Sequence, residues 1–321
     1  MKSKNYSENI IKVFKKDGFV LSEPDVLLDS DYIIERSGEN FRKIMLTFED
    51  DTGKSMCLRP DLTVASCIKY LKDNSKANSK IYYSGQAYRR SKSLNKVINY
   101  QLGLEIFGSK NKSIDDLKVL KTITNSINKI KIKDISIKVG DVSLFKQLID
   151  SLKIPERWRM RLKRHFWRPK YFEDLLTRLE TNSDVDPSTV ELDKKKFYEM
   201  KIVDQNKEIA NRKVSEIISR FDRKIKDPRS FKQNKKTVKV IKDFLKINCP
   251  LDKLEKTLNN FINKNQLSKN VFKDISSLKN LSSLNSKITF STNFGRDIEY
   301  YSGVVFEIYN SSKKEIARGG R

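Results

Sequence analysis

Several protein classes are set aside by what this chain lacks. It holds one histidine, His165, and three cysteines, Cys57, Cys67 and Cys249, with no C-x-x-C spacing. That composition leaves no zinc pattern, and no metal site is expected. A disulfide-stapled secreted fold is set aside on the same ground, and reduced thiols in a cytoplasm are the simplest reading. No apolar run approaches the roughly 18–20 residues that span a bilayer, so no membrane partner is expected. The opening "MKSKNYSENIIKVFKKDGFV" is lysine-rich but has no continuous apolar core of the kind a secretion signal carries.

Acidic residues are also short. Lys and Arg number 66 against 41 Asp and Glu, a formal charge of +25. Clustered cations would favour nucleic acid by releasing phosphate counterions. Here lysine is spread over nearly every segment among Asn, Ile and Ser, which fits compositional drift better than a dedicated surface. The apolar share of 37% and charged share of 33% describe a polar, soluble protein. At 321 residues it is long enough for one large domain or a domain with an insertion.

Along the chain, Ile10, Ile11, Val13 and Phe14 fall at helical spacing over residues 6–17, and Gly18 ends that helix. "FVLSEPDVLLDSD" reads as extended, because Pro24 cannot occupy a central ladder position. "KIMLTFEDDTGKSMCLRP" alternates around a turn at Asp50–Gly53, a hairpin pattern, and "LTVASCIKYLKDN" follows as an amphipathic helix. "KIYYSGQAYRR" and "INYQLGLEIFG" are strands joined by the polar "SKSLNK". "SIDDLKVLKTITNSINKI" is a helix and "DISIKVGDV" a strand. From about 141 to 280 lysine-rich helices dominate, and strand signals return at "SKITFST" and "GRDIEYYSGVVFEIY". This order predicts an α+β fold, an antiparallel sheet flanked by helices and interrupted by a helical insertion.

Four stretches carry polarity where plain apolar residues would serve a core. In "NYQLGLEIF" the two-residue period puts Gln101, Gly103 and Glu105 on one face and Leu102, Leu104 and Ile106 on the other. The polar face is either half-solvated or a ligand wall whose glycine admits a close approach. In "CLRPDLTVAS", Asp61 or Thr63 caps the following helix, or both present acceptors to an ammonium. Arg89 and Arg90 end a strand, either at a solvated hairpin tip or facing a phosphate or carboxylate. In "GRDIEYYSGVVFE" an ideal strand puts Arg296 and Tyr300 on one face and Glu299 and Tyr301 on the other. For both tyrosines to serve one pocket a bend is needed, which Gly295 or Gly303 can supply; otherwise they simply pack a sheet with wet hydroxyls.

In that order, these stretches resemble the catalytic domain of histidyl-tRNA synthetases, a class II aminoacyl-tRNA synthetase fold. "LRPDLT" resembles the family's Leu-Arg-Pro-Glu-x-Thr element and "YSGQAYRR…NYQLGLEIFG" its motif 2 strand pair. "GRDIEYYSGVVFE" resembles its histidine-binding element, and "ARGGR" the start of its Gly-Gly-Arg-Tyr-Asp element. The resemblance implies that Asp61, Thr63 and Gln101 receive the α-ammonium of histidine and that Arg296 holds its carboxylate. It further implies that Glu105 and Tyr301, with Tyr300 beside them, meet the imidazole, and that Arg89 meets a phosphate. Asp61 is one methylene shorter than the family glutamate.

Residues 1–140 and 286–321 would form the synthetase-like core and 141–285 the inserted helices. The loop "RRSKSLNKVIN" departs from the synthetase pattern, and no motif 3 arginine or anticodon-binding domain appears. The chain therefore looks more like the regulatory subunits of ATP phosphoribosyltransferase, which are synthetase-derived, and "VGDVSLFKQLIDSLKIPERWRMRLKRHFWRPKYFEDLLTRLE" is similar to their helical region. That resemblance implies a non-catalytic, cytoplasmic, self-associating protein. It would sense L-histidine, use no cofactor, and partner the short-form catalytic subunit in the first step of histidine biosynthesis. The alternative is a truncated histidyl-tRNA synthetase, the one reading in which tRNA is a partner. Both families continue beyond a Gly-Gly-Arg element, so a truncation after residue 321 is expected.

Overall fold

The computed structural model describes residues 2–37, 42–73, 78–90, 97–181, 187–210, 212–226, 233–284, 287–296 and 300–321. Residues 91–96 and 297–299 lie outside them. Helix α1 (Lys2–Lys16) buries Phe14 and closes at Gly18. Gly18 has φ +86°, and Phe19 N–H donates to Phe14 O at 3.1 Å, the six-to-one closure a left-handed glycine allows. Strands β1 (Val20–Leu21) and β2 (Leu27–Asp29) flank Pro24, and α2 (Ser30–Ser37) follows. The hairpin is β3 (Leu46–Glu49) and β4 (Ser55–Leu58), leading into α3 (Leu62–Lys72). Strands β5 (Ser79–Tyr88) and β6 (Ile98–Phe107) pair antiparallel along ten residues each. Helix α4 (Lys112–Lys129) then packs against α1.

Strand β7 (Ser136–Asp141) opens the second half. The lysine-rich middle folds as α5 (Val142–Ser151), α6 (Glu156–His165), α7 (Pro169–Thr181), α8 (Pro187–Lys201), α9 (Val214–Lys226), α10 (Asn234–Leu245), α11 (Leu254–Lys264) and α12 (Ser276–Leu281). Between α8 and α9 lies a two-strand ribbon, β8 (Glu208–Ile209) and β9 (Arg212–Lys213). Strands β10 (Asn248–Pro250), β11 (Lys287–Ser291), β12 (Val304–Tyr309) and β13 (Glu315–Gly320) complete the chain.

The strands make sheets of order β1-β5-β6, β2-β4-β3 and β10-β11-β7-β12-β13. Two pairings correct the antiparallel expectation. Strand β1 runs parallel to β5, and β11 parallel to β7. The second is parallel because the helical region acts as a long crossover, returning the chain beside the strand it left. Strand β10 was not legible: three residues ending in Pro250 make a weak pattern, and proline is tolerated there because β10 is an edge.

Helices α5, α7 and α10 share one core with the five-stranded sheet. Phe145, Leu148, Phe172, Leu176, Ile241 and Phe244 pack in the same cluster as Ile137, Val139, Phe290 and Phe306. A smaller cluster joins Phe14 and Phe19 to Tyr82 and Leu104, with Leu102 and Ile106 packed against it, so the apolar face of β6 points where its period predicts. All three cysteines are free thiols. Among the described residues no helix is long and apolar enough to cross a membrane.

Candidate ligand-binding site

The polar face of β6 meets the first turn of α3. Asp61 is the N-cap of α3, and its Oδ1 accepts from Val64 N–H at 2.9 Å. Gln101 Oε1 accepts from Leu62 N–H at 3.1 Å, satisfying a second free donor of that turn. The capping reading and the acceptor reading of this stretch therefore converge on one place. Arg59, from the same "LRPDLT" element, is buried scaffold: its Nε donates to Gln86 O at 2.9 Å and its Nη1 to Pro24 O.

Tyr83 links the two elements. It lies opposite Gly103 in the β5–β6 register, and a Cβ at Gly103 would stand 2.3 Å from its hydroxyl. The close approach that the glycine permits is thus the tyrosine's own. The Tyr83 hydroxyl lies 2.9 Å from Thr63 Oγ1 and donates to Glu105 Oε1 at 3.3 Å. Tyr83 was missed as a site residue; its position across from the strand glycine is the signal that finds it. Cys67 was missed too. It sits four residues after Thr63, on the same face of α3. Burial, with the nearby charges of Glu105 and Asp61, pushes its thiol up to about 12.

Burial drives the electrostatics. It pushes the Glu105 carboxyl up to about 7, against the pull of hydrogen bonds from Thr63 and Tyr83, and Asp61 adds to the rise. Burial also raises Asp61, opposed by its Val64 bond and by the nearby Arg89 guanidinium. Two desolvated carboxylates near one another resist ionisation until a cation arrives. The site is built to seek positive charge.

Tyr300 and Tyr301 supply a second wall. Among the described residues the strand expected over this stretch begins at Val304, so Tyr300 and Tyr301 lie outside it and strict alternation does not bind them. Their centroids are 4.8 Å apart in an edge arrangement. Burial raises both phenols; the further contributors include Asp61 and Glu105, which brings the tyrosines within electrostatic reach of the β6 wall. Gly295 has φ +78° and a Cβ position only 2.8 Å from Val305.

Arg296 is held from the helical side. The turn at Gly295 sends it into the helical region, where it is 3% exposed. Its Nε donates to Phe166 O at 2.9 Å and its Nη1 to Asn293 Oδ1 at 2.6 Å. Asp61, Thr63, Gln101, Glu105, Tyr300 and Tyr301 thus gather with Arg89 at their margin, and Phe166, Phe172 and Asn293 hold Arg296.

Fold and site together define a class II aminoacyl-tRNA synthetase-like domain. The chain belongs to the histidyl-tRNA synthetase family, which it matches over residues 1–321. It is similar to the ATP phosphoribosyltransferase regulatory subunit of Allorhizobium ampelinum, 23% identical, with 98% of this chain and 89% of that protein covered. Among solved structures it resembles an ATP phosphoribosyltransferase regulatory subunit/histidyl-tRNA synthetase from Bacillus halodurans. There the TM-score is 0.62 at 16% identity, covering 99% of this chain and 71% of that one. It also resembles a chain of the ATP phosphoribosyl transferase (HisG:HisZ) complex from Thermotoga maritima. That TM-score is 0.52 at 19% identity, covering 98% and 90%.

Proposed function

We propose that the chain is the non-catalytic, histidine-sensing regulatory subunit of a cytoplasmic ATP phosphoribosyltransferase, working with a short-form catalytic subunit. The observation that carries the reading is the cation-seeking cluster of Asp61, Thr63, Gln101 and Glu105, in a chain whose relatives bear that name along nearly their whole length. The ligand's α-ammonium goes to Asp61, Thr63 and Gln101. Its imidazole goes to Glu105 and Tyr301, with Tyr300 alongside, because a ring with one donor and one acceptor needs both kinds of partner. Its carboxylate goes to Arg296, and Arg89, close enough to Asp61 to oppose the rise in its pKa, meets a phosphate or other anion. Residues 1–140 and 286–321 form the ligand-binding core around the inserted helices 141–285. Exposed Val20, Leu21 and Leu27 on the edge strands β1 and β2 suit self-association. No cofactor is required. Feedback arises because histidine favours one arrangement of the assembly, a coupling of typically about 1–3 kcal/mol.

Calorimetry of the isolated chain with L-histidine, repeated with Glu105→Ala, tests the site. Saturable binding lost in the variant is expected; a wild-type chain indifferent to histidine overturns the assignment. Mixing with the short catalytic subunit should restore transferase activity that histidine then inhibits. The synthetase reading is favoured by the family's own name. Histidine-dependent ATP–pyrophosphate exchange by the pure chain would establish it and remove the regulatory one.

A further inference from the structure

Resting on that reading, we propose that Arg321 is a positioning residue that, clamped to Asp116, fixes the spacing between the tyrosine wall and the β6 wall. The walls stand on separate sheets. Gln101 and Glu105 belong to β6, while the Tyr301 ring lies over β13, where a Cβ at Gly320 would be 2.9 Å from it. Among the described residues no strand pairing joins β6 to β13. A ligand whose ammonium lies on one wall and whose ring reaches the other needs that gap held to within about half an ångström. Backbone pairing does not set it, so side chains must.

Arg321 is placed to do so. Its Nε donates to Asp116 Oδ1 at 3.1 Å and its Nη2 to Asp116 Oδ2 at 3.2 Å, a planar fork set on a carboxylate. Asp116 sits in the second turn of α4, the helix that follows β6 after residues 108–111. Its side chain is 11% exposed and that of Arg321 31%, so solvent screens the pair less than it screens a surface pair. Ser277 of α12 donates to Asp116 Oδ2 at 2.7 Å and orients the carboxylate. On the other side Arg321 is bonded into the tyrosine segment. The N–H groups of Ser302 and Gly303 donate to its carbonyl at 2.7 and 2.9 Å, and its own N–H donates to Val304 O at 2.9 Å. The guanidinium fills the place a side chain at 303 would take, since a Cβ on Gly303 would be 2.6 Å from its carbon. Those backbone bonds seat the segment on β13 whatever the side chain does. What the guanidinium adds is the reach to α4, and through α4 to β6. Asp141, the N-cap of α5, also feels Arg321, which opposes the burial-driven rise of its carboxyl. The guanidinium therefore keeps an acidic neighbour when Asp116 is replaced.

A double-mutant cycle tests the clamp. Calorimetry with L-histidine is expected to show about tenfold weaker binding in Arg321→Met and in Asp116→Asn, with no further loss when the two are combined. Losses that multiply overturn the clamp, as does undiminished affinity in either variant. Tyr301→Phe separates positioning from support of the fold. It should cost the wild-type chain histidine affinity and cost the Arg321→Met chain much less, because the hydroxyl is then no longer delivered to the ligand. An equal cost in both overturns the positioning role. Denaturant unfolding of Arg321→Met, Asp116→Asn and their combination needs no ligand. The combined loss of stability should fall short of the sum of the single losses, and additive losses overturn the clamp. Hydrogen exchange at 302–304 should stay near the wild-type rate in Arg321→Met; a rise there means that the side chain holds the segment itself, and overturns the proposal. A wild-type chain that binds no histidine would remove the histidine reading, and unfolding and exchange would still decide the clamp.

Discussion

The two walls of the site are built by different means. The β6 wall is held by side chains bonding one another across regular elements: Asp61 to Val64 N–H, Gln101 to Leu62 N–H, and Tyr83 between Thr63 and Glu105. Strand register and a helix cap fix all of them. The tyrosine wall is laid on a different sheet: a Cβ at Gly320 of β13 would stand 2.9 Å from the Tyr301 ring, and the N–H groups of Ser302 and Gly303 just after the tyrosines donate to Arg321 O. A wall fixed by register is stable whenever its sheet is. A wall laid on the five-stranded sheet inherits the stability of the core which that sheet shares with the helices. The two walls should therefore fail separately.

Phe172→Ala gives the largest expected effect. It removes a fully buried ring that packs on Phe145 and Phe166 and underlies Arg296. Denaturant unfolding should show a loss of about 3–5 kcal/mol. Protection at the tyrosine wall should fall while the Tyr83–Glu105 side keeps its exchange rates. Equal loosening of both walls would erase the distinction. Gly103→Ala attacks the other wall. Its new methyl would sit 2.3 Å from the Tyr83 hydroxyl and 2.4 Å from the ring carbon bearing it, so β5 and β6 must shift or Tyr83 must leave. A cost of about 1–3 kcal/mol is expected, with histidine affinity lost and the 166–172 segment undisturbed. Retained affinity would mean Tyr83 has no part in the site.

This contrast also explains what could be read from residues alone. The period-2 pattern of "NYQLGLEIF" placed Leu104 in a core and Gln101 and Glu105 on the opposite face, because strand geometry dictates it. Asp61 at a strand-to-helix junction was legible for a similar reason, since cap chemistry is local. Arg296 was not. Its destination depends on a turn at Gly295 and on two phenylalanines about 125–130 positions away, and no pattern within fifteen residues contains that. Tyr83 falls between the two. Its register with Gly103 was implicit in the strand pair, but only the structure shows the ring occupying the glycine's gap.

Glu105→Gln is the smallest structural change and the one that separates the walls most cleanly, since it alters charge with little change of volume. Burial holds the Glu105 carboxyl up at about 7, against about 4.3 for the same group in an unfolded chain. Between those values the native state keeps a proton that the unfolded state has released. Stability must then fall as pH rises from about 4.5 to about 7, and the penalty is complete above that range. Glutamine cannot ionise, so the variant should match the wild-type chain near pH 4 and exceed it at pH 8 by on the order of 3 kcal/mol. Identical stability curves would mean that the carboxyl is solvated and the β6 wall is not the desolvated surface described. Ligand binding sharpens the point. A bound cation favours the ionised carboxylate, so histidine should expel a proton from Glu105 near pH 7 and bind more weakly as pH falls through that value. Binding heats measured in two buffers of different ionisation enthalpy report that proton directly. Any binding that survives in Glu105→Gln should lack it.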